Sequence, residues 1–271
     1  MSGDDNLVNE AKVALFEALD ALGPHRDSVI LVGAQAIYQH TGSIDLAIAE
    51  FTKDSDLVID VNILEESPEI SALLKQSGFY QSVGGNPGQW FSRSGIPIDL
   101  MAPDSLVKGG ERSADLAPHH RMTARRTVGL EAAIVDYVIM EVASPDDPTR
   151  FVAMKVAGPA ALLVAKAHKI YERKDSAKRT RDKDALDIYR LLIAFETQEL
   201  LPSFTLILDN SISSTTTSLA LKYLEELFTL GSQPIGALMV RRAVSTLGEA
   251  DQITQSVTIL VNELLQAIGR I

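Results

Sequence analysis

Residues 52–60 read Thr52-Lys53-Asp54-Ser55-Asp56-Leu57-Val58-Ile59-Asp60, two acids one residue apart at the head of an apolar run. On a strand, side chains two apart face the same way, about 6–7 Å from each other. Asp54 and Asp56 therefore share a face. Two carboxylates held together are costly unless a cation neutralises them. A hard cation such as Mg²⁺ suits oxygen ligands and keeps positions free for water and phosphate. Asp60 has the same parity but sits about 13 Å beyond Asp56, so it reads as a strand-end surface residue. A D-x-D pair by itself also fits a surface turn. Here it precedes an apolar strand rather than sitting among Gly and Pro.

Working upstream, Ser28-Val29-Ile30-Leu31-Val32 is a short β-branched run that breaks at Gly33 into a helical stretch, Ala34 to His40. A strand turning at glycine into a helix brings backbone N–H groups close to a bound anion. Working downstream, Gln89-Trp90-Phe91-Ser92, the turn Arg93-Ser94-Gly95, and Ile96 to Met101 read as a β-hairpin. Ile96, Ile98 and Leu100 share one face of its second strand, and Pro97, Asp99 and Met101 the other. Asp99 needs a partner there. A metal, a loop hydrogen bond or an exposed sheet face would each satisfy it. Three carboxylates on neighbouring strands suit phosphoryl transfer assisted by two metal ions.

The remaining pattern is a mixed half followed by a helical half. Leu7, Val8, Ala11, Leu15, Ala18, Leu19 and Leu22 recur at helical spacing, so 5–22 is a helix ended by Gly23-Pro24. Asp56 to Asp60 is a strand, Pro68 to Ser77 a helix, 103–126 a basic loop, and Ala133 to Val142 and Phe151 to Met154 are strands. From Pro159 onward the patterns are helical: 159–174, 182–197, 216–229, 234–247 and 251–268. Pro202, the Ser/Thr cluster at 211–218 and Gly231-Ser232-Gln233-Pro234 punctuate them. The expected fold class is α+β, divided near residue 155.

Composition narrows the function. The 271 residues are 46% hydrophobic, enough for a sizeable core. With no cysteine, disulfides, thiolate zinc sites and a cysteine nucleophile are excluded, and a reducing cytoplasm is the simplest compartment. The acidic start MSGDDNLVNE is not a signal peptide, and no apolar run reaches the length of about 20 residues needed to span a membrane. The net charge of −11 argues against a general nucleic-acid coat protein. Its distribution is uneven, because residues 108–126 and 166–190 hold 14 of the 25 Lys and Arg. Such stretches serve as solvated faces or as contacts for RNA.

Lys166 lies within an apolar helix stripe with Leu162, Leu163 and Ile170. A lysine so placed either snorkels to solvent or meets a buried anion such as a triphosphate. Lys169 falls one position off the stripe and reads as exposed. Asp184 and Asp187 share a helix face, and Asp184 points inward beside Ile188 and Leu191. Inward acids near basic residues form salt bridges or serve a site. Lys183 pairs with Asp187 at i,i+4 or binds nucleotide. His119, His120 and His168 lack the spacing of a zinc site, and Trp90 reads as core.

The order of glycine turn, T-K-D-x-D-L and later I-D-L strand resembles the nucleotidyltransferase superfamily typified by DNA polymerase beta. Leu162-Leu163-Val164-Ala165-Lys166-Ala167-His168 followed by Arg181-Asp182-Lys183-Asp184-Ala185-Leu186-Asp187 is similar to the Lys and K-D-x-x-D motifs of the AbiEii group, which includes the MenT toxins of toxin–antitoxin systems. The resemblance covers roughly residues 28–192. It implies a nucleotidyltransferase α/β domain at 1–155 with a mixed sheet, and a helical bundle at 156–271 that completes the active site. It implies Mg²⁺ or Mn²⁺ on Asp54, Asp56 and Asp99, with Lys166 and Asp184 also catalytic. Nucleotide contacts fall to Gly33, Ala34, Thr52, Lys166, Lys183 and Asp187. The implied reaction transfers a nucleoside monophosphate from an NTP to RNA, notably the tRNA 3′ end, with pyrophosphate released and a cognate antitoxin as partner. A protein or small-molecule acceptor, or an inactive fold used for binding, are the alternatives. The chain departs from the pattern in three places. Gly33-Ala34 replaces Gly-Gly or Gly-Ser, so Ala34 offers only its backbone N–H. The interval from Gly33 to Asp54 is long, and Glu50 stands where arginine is frequent.

Overall fold

A computed structural model describes residues 3–42, 52–110, 112–147, 149–176, 182–246 and 248–269. Glu50, Arg181, Leu247 and the side chain of Leu7 lie outside the described residues. Helix α1, Gly3–Leu22, buries Ala11, Leu15, Ala18, Leu19 and Leu22 along one stripe and stops at Gly23-Pro24. Strand β1, Val29–Val32, is buried at every position, as a central strand of branched residues should be. It runs straight into α2, Gly33–Thr41.

Strands β2 (Ser55–Ile59), β3 (Gln89–Phe91) and β4 (Pro97–Pro103) flank the short helix α3 (Ile70–Gln76). Then follow β5 (Arg125–Thr127), α4 (Glu131–Val135), β6 (Tyr137–Ala143) and β7 (Phe151–Ala157). They form one mixed sheet in the order β3-β4-β2-β1-β7-β6, with β5 also paired to β4. β1 is antiparallel to β2, and β2 is parallel to β4. These two pairings fix the site. Asp56 lies across from Asp99 on one side and from Val32 on the other. Gly33, the next residue after Val32, therefore falls at the Asp56 carboxylate.

The helices of the second half are α5 (Pro159–Arg173), α6 (Asp182–Ala194), α7 (Thr197–Asp209), α8 (Ser214–Phe228), α9 (Ile235–Ala243) and α10 (Ala250–Ala267). α5 and α6 pack on α2, so the helical half touches the sheet beside the Asp56–Asp99 pair. Leu162, Leu163, Leu191, Phe204 and Phe228 are buried in a core continuous with that of the sheet. Among the described residues no single helix is long and apolar enough to cross a membrane.

Several elements differ from the sequence reading. Ala133 to Val142 is not one strand. The Glu131 carboxylate accepts the backbone N–H of Gly129 and of Ser105, which holds a helical turn over the good helix formers Ala132 and Ala133. β6 begins only after Asp136, whose carboxylate accepts the Ala161 N–H. Pro202 does not separate helices; it sits inside α7, which starts from a capping box made by Glu196 and Glu199. The stretch 103–126 is closed by β5 and is tied down at Trp90, whose Nε1 donates to the Thr123 carbonyl at 3.0 Å. Asp60 is buried rather than on the surface, and its Oδ1 accepts from both the backbone and the amide side chain of Asn62.

Candidate active site

A cavity of about 510 Å³ opens where β1, β2, β4 and β5 meet α5. Gly33, Asp56, Asp99 and Lys166 line it, so four of the expected site residues meet at one cavity. Gly33 is required by two independent facts. Its φ is +71°, in the left-handed region that side chains disfavour, and a Cβ there would lie 2.2 Å from Asp56 Oδ2. Gly33→Ala is expected to push the Asp56 carboxylate aside and lower kcat/KM for transfer by at least about tenfold, equivalent to about 1.4 kcal/mol. Steady-state rates at saturating Mg²⁺ check this; a rate near wild type would show that the contact does not matter.

The two facing carboxylates are both held toward their neutral forms. Burial pushes the Asp56 carboxyl up to about 6, and the Asp54 charge adds to the effect. Burial also raises Asp99, against the pull of Arg125, and Asp54 again adds to it. Arg125 donates to Asp99 Oδ2 at 2.8 Å, while Asp99 Oδ1 is buried with no hydrogen-bond partner. A buried, unpartnered carboxylate oxygen beside a second carboxylate that burial disfavours as an anion fits a divalent cation. The fit is to an open site. Among the described residues no group of three or more His, Asp or Glu side chains is placed to hold a metal ion, so the fit rests on the Asp56–Asp99 pair. Mg²⁺ commonly binds in this way, through one or two carboxylates plus water and phosphate oxygens.

Asp54 lies just ahead of β2. Its Oδ1 accepts the Thr52 hydroxyl at 2.8 Å, and Gln35 donates to its carbonyl at 3.2 Å. Thr52 is buried and bonded to Asp54, and Ala34 is buried within the first turn of α2. Neither lines the cavity.

Lys166 does not snorkel. Its ammonium, on a side chain only 5% exposed, donates to Asp184 at 2.7 Å and to Asp187 at 2.5 Å. Burial pushes the lysine down, and Asp187 and Asp184 more than reverse this. Burial pushes Asp184 up, and Lys166 with Lys169 holds it far below the usual carboxylate range. Asp184 and Asp187 thus meet α5 through a buried ion triad, and one of the three Lys166 donors is left for the cavity. Lys183 is half-buried at the start of α6, its pKa lowered by burial against the field of Asp187.

The sequence reading underrated the cations. Lys169, expected to be exposed from its place one position off the apolar stripe, lines the cavity and bonds Asp184 at 3.1 Å. Its field reaches both Asp56 and Asp99. Arg112, Arg125, Arg126 and Arg173 also line the cavity. The signal was present as the two basic stretches, both of which converge here. His119 and His168 are structural: His119 bridges Ile70 N–H and the Glu65 carbonyl, and His168 contacts the Thr216 carbonyl.

No curated protein matches the chain. A family model described as Nucleotidyltransferase matches residues 10–209, a span that contains the whole sheet and every cavity residue named here. The mixed sheet, with a D-x-D strand beside a glycine turn and helices behind it, agrees with that match. The chain belongs to the nucleotidyltransferase family and is a transferase that uses NTP.

Proposed function

We propose that this chain transfers a nucleoside monophosphate from an NTP to an RNA 3′ end, in the manner of the AbiEii and MenT toxins, with tRNA as the acceptor and a cognate antitoxin as its regulator in the cytoplasm. The observation that carries the RNA reading is the cavity wall. In a chain of net charge −11, six Arg and Lys side chains surround the Asp56–Asp99 pair against four carboxylates. A cavity lining that carries more cations than acids, in a protein of acidic net charge, suits a polyanionic acceptor.

Asp56 and Asp99, with Asp54 beside them, would hold Mg²⁺ or Mn²⁺, which supplies charge stabilisation on the phosphates and lowers the pKa of the attacking hydroxyl. Gly33 clears the space that lets the Asp56 carboxylate face the cavity. Arg125 fixes one oxygen of Asp99. Asp184 and Asp187 hold Lys166 rigid, so its remaining N–H meets a phosphate oxygen without loss of side-chain entropy. Lys169, Arg126 and Arg173 neutralise the triphosphate as it settles. The backbone N–H of Ala34 and the side chains of Thr52 and Lys183 serve as further nucleotide contacts in this reading, and the helical residues 156–271 act as the unit that completes the site.

Lys169→Met is expected to raise the KM for NTP or lower kcat by about tenfold while leaving the fold intact, since Asp184 keeps Lys166 as partner. An unchanged kcat/KM would remove Lys169 from the site. The acceptor is tested by incubating the protein with each α-labelled NTP, Mg²⁺ and total RNA plus protein. Label in RNA removable by 3′ exonuclease supports the proposal. Label in protein or in small molecules overturns the RNA acceptor and leaves the transfer chemistry standing.

A further inference from the structure

Arg125 differs from the other cavity cations in its partner, because it bonds Asp99, one of the two carboxylates that face each other across β2 and β4. It leaves β5 opposite Met101 of β4, two residues beyond Asp99. Its guanidinium donates to Asp99 Oδ2 at 2.8 Å and lies 3.3 Å from Met101 Sδ. The backbone beneath it is built to tight tolerance. A Cβ on Gly88 would lie 2.6 Å from the Arg125 backbone nitrogen and 2.2 Å from the Leu100 carbonyl oxygen. Two buried atoms of opposite character are left without hydrogen-bond partners at this pair: Asp99 Oδ1, an acceptor, and Arg125 Nε, a donor. The pair is therefore satisfied on one side only.

We propose that Arg125 couples cation binding to triphosphate binding. The inference rests on the reading of this cavity as the nucleotide site. In the ligand-free protein Arg125 is the counter-ion of Asp99. A cation arriving alone meets the guanidinium charge, and a triphosphate arriving alone meets the Asp56 and Asp99 charges. When both are present, Arg125 gives up Asp99 and turns its fork to a phosphate oxygen, so each ligand removes the cost met by the other. Such coupling is reciprocal by linkage. The planar fork suits arginine and not lysine, because a guanidinium that holds Asp99 by one N–H keeps further donors in the same plane for a phosphate oxygen.

The test uses the full chain, Mn²⁺ followed by electron paramagnetic resonance, and inorganic tripolyphosphate followed by calorimetry. In wild type, Mn²⁺ is expected to tighten tripolyphosphate binding by about tenfold or more, a usual size for coupled sites. In Arg125→Met, Mn²⁺ alone binds about tenfold tighter than in wild type, tripolyphosphate binds more weakly, and the coupling factor falls toward one. Arg125→Lys keeps the charge and guards against misfolding of the methionine variant; it should keep the weak wild-type affinity for Mn²⁺ alone and lose most of the coupling. Weaker Mn²⁺ binding in Arg125→Met, or an unchanged coupling factor, overturns the proposal while the site reading stands. Wild-type protein that binds neither Mn²⁺ nor tripolyphosphate overturns the site reading itself, and the coupling with it.

Discussion

Asp56→Asn is expected to remove nucleotide transfer by roughly a thousandfold, about 4 kcal/mol of transition-state stabilisation, while raising the melting temperature of the metal-free protein at pH 8. The two effects share one cause. Asp56 faces Asp99 across the β2–β4 pairing, with Gly33 on its other flank. Burial and the Asp54 charge push its carboxyl from 3.8 up to about 6. Between those values the folded protein binds a proton more tightly than the unfolded chain does. Stability is therefore fully present below about 3.8 and falls as pH rises to about 6, a loss of about 2–3 kcal/mol across the window. Asparagine removes the charge and with it the loss. At about 2–4 °C per kcal/mol for a chain of this size, the variant should melt several degrees higher at pH 8 and close to wild type at pH 4. Scanning calorimetry in EDTA at both pH values checks the sign. A lower melting point at pH 8 would mean that the Asp56 charge is already satisfied within the protein.

Lys166→Met is expected to destabilise the protein by about 3–5 kcal/mol, lowering the melting temperature by about 10 °C, before any question of catalysis arises. A snorkelling lysine would tolerate this change. Here the ammonium is the shared partner of Asp184 and Asp187, whose side chains are 5% and 2% exposed. Its removal leaves two carboxylates together out of water, with Lys169 still on Asp184 but their shared buried cation gone. Replacing both acids with asparagine in the Lys166→Met background should recover much of the lost stability without restoring activity. Urea denaturation separates the cases. A loss under about 1 kcal/mol for Lys166→Met alone would contradict the buried triad.

The β part of the fold was largely legible because its signals are local. The apolar run after Asp56 located β2, the hairpin pattern around Arg93-Ser94-Gly95 located β3 and β4, and Gly33 marked the turn into α2. Those rules also placed Asp56 and Asp99 on the shared sheet face, since parity along a strand survives any register that keeps the core buried. What was not legible depended on partners distant in sequence. Helical spacing put Asp184 and Asp187 on one face but could not show that Lys166, on another helix, would take both. Lys169 looked exposed from its own helix, yet the open side of α5 faces the cavity. Arg125 lay in a stretch read as loop, where no periodicity reveals that three residues pair with β4 opposite the site. Asp60 was misjudged because a buried carboxylate needs only a local turn, here at Asn62, to be satisfied. Ala133 to Val142 is apolar throughout, and apolarity alone does not separate a helical turn from a strand.

The most direct measurement is pyrophosphate release from each of the four NTPs, with total RNA as acceptor, by wild type and by Asp56→Asn, with and without Mg²⁺. A cavity lined by Asp56, Asp99, Lys166 and Lys169 that transfers nucleotides predicts Mg²⁺-dependent release from at least one NTP by wild type and none above background by the variant. Equal release by both proteins would contradict it and place the chemistry elsewhere in the chain.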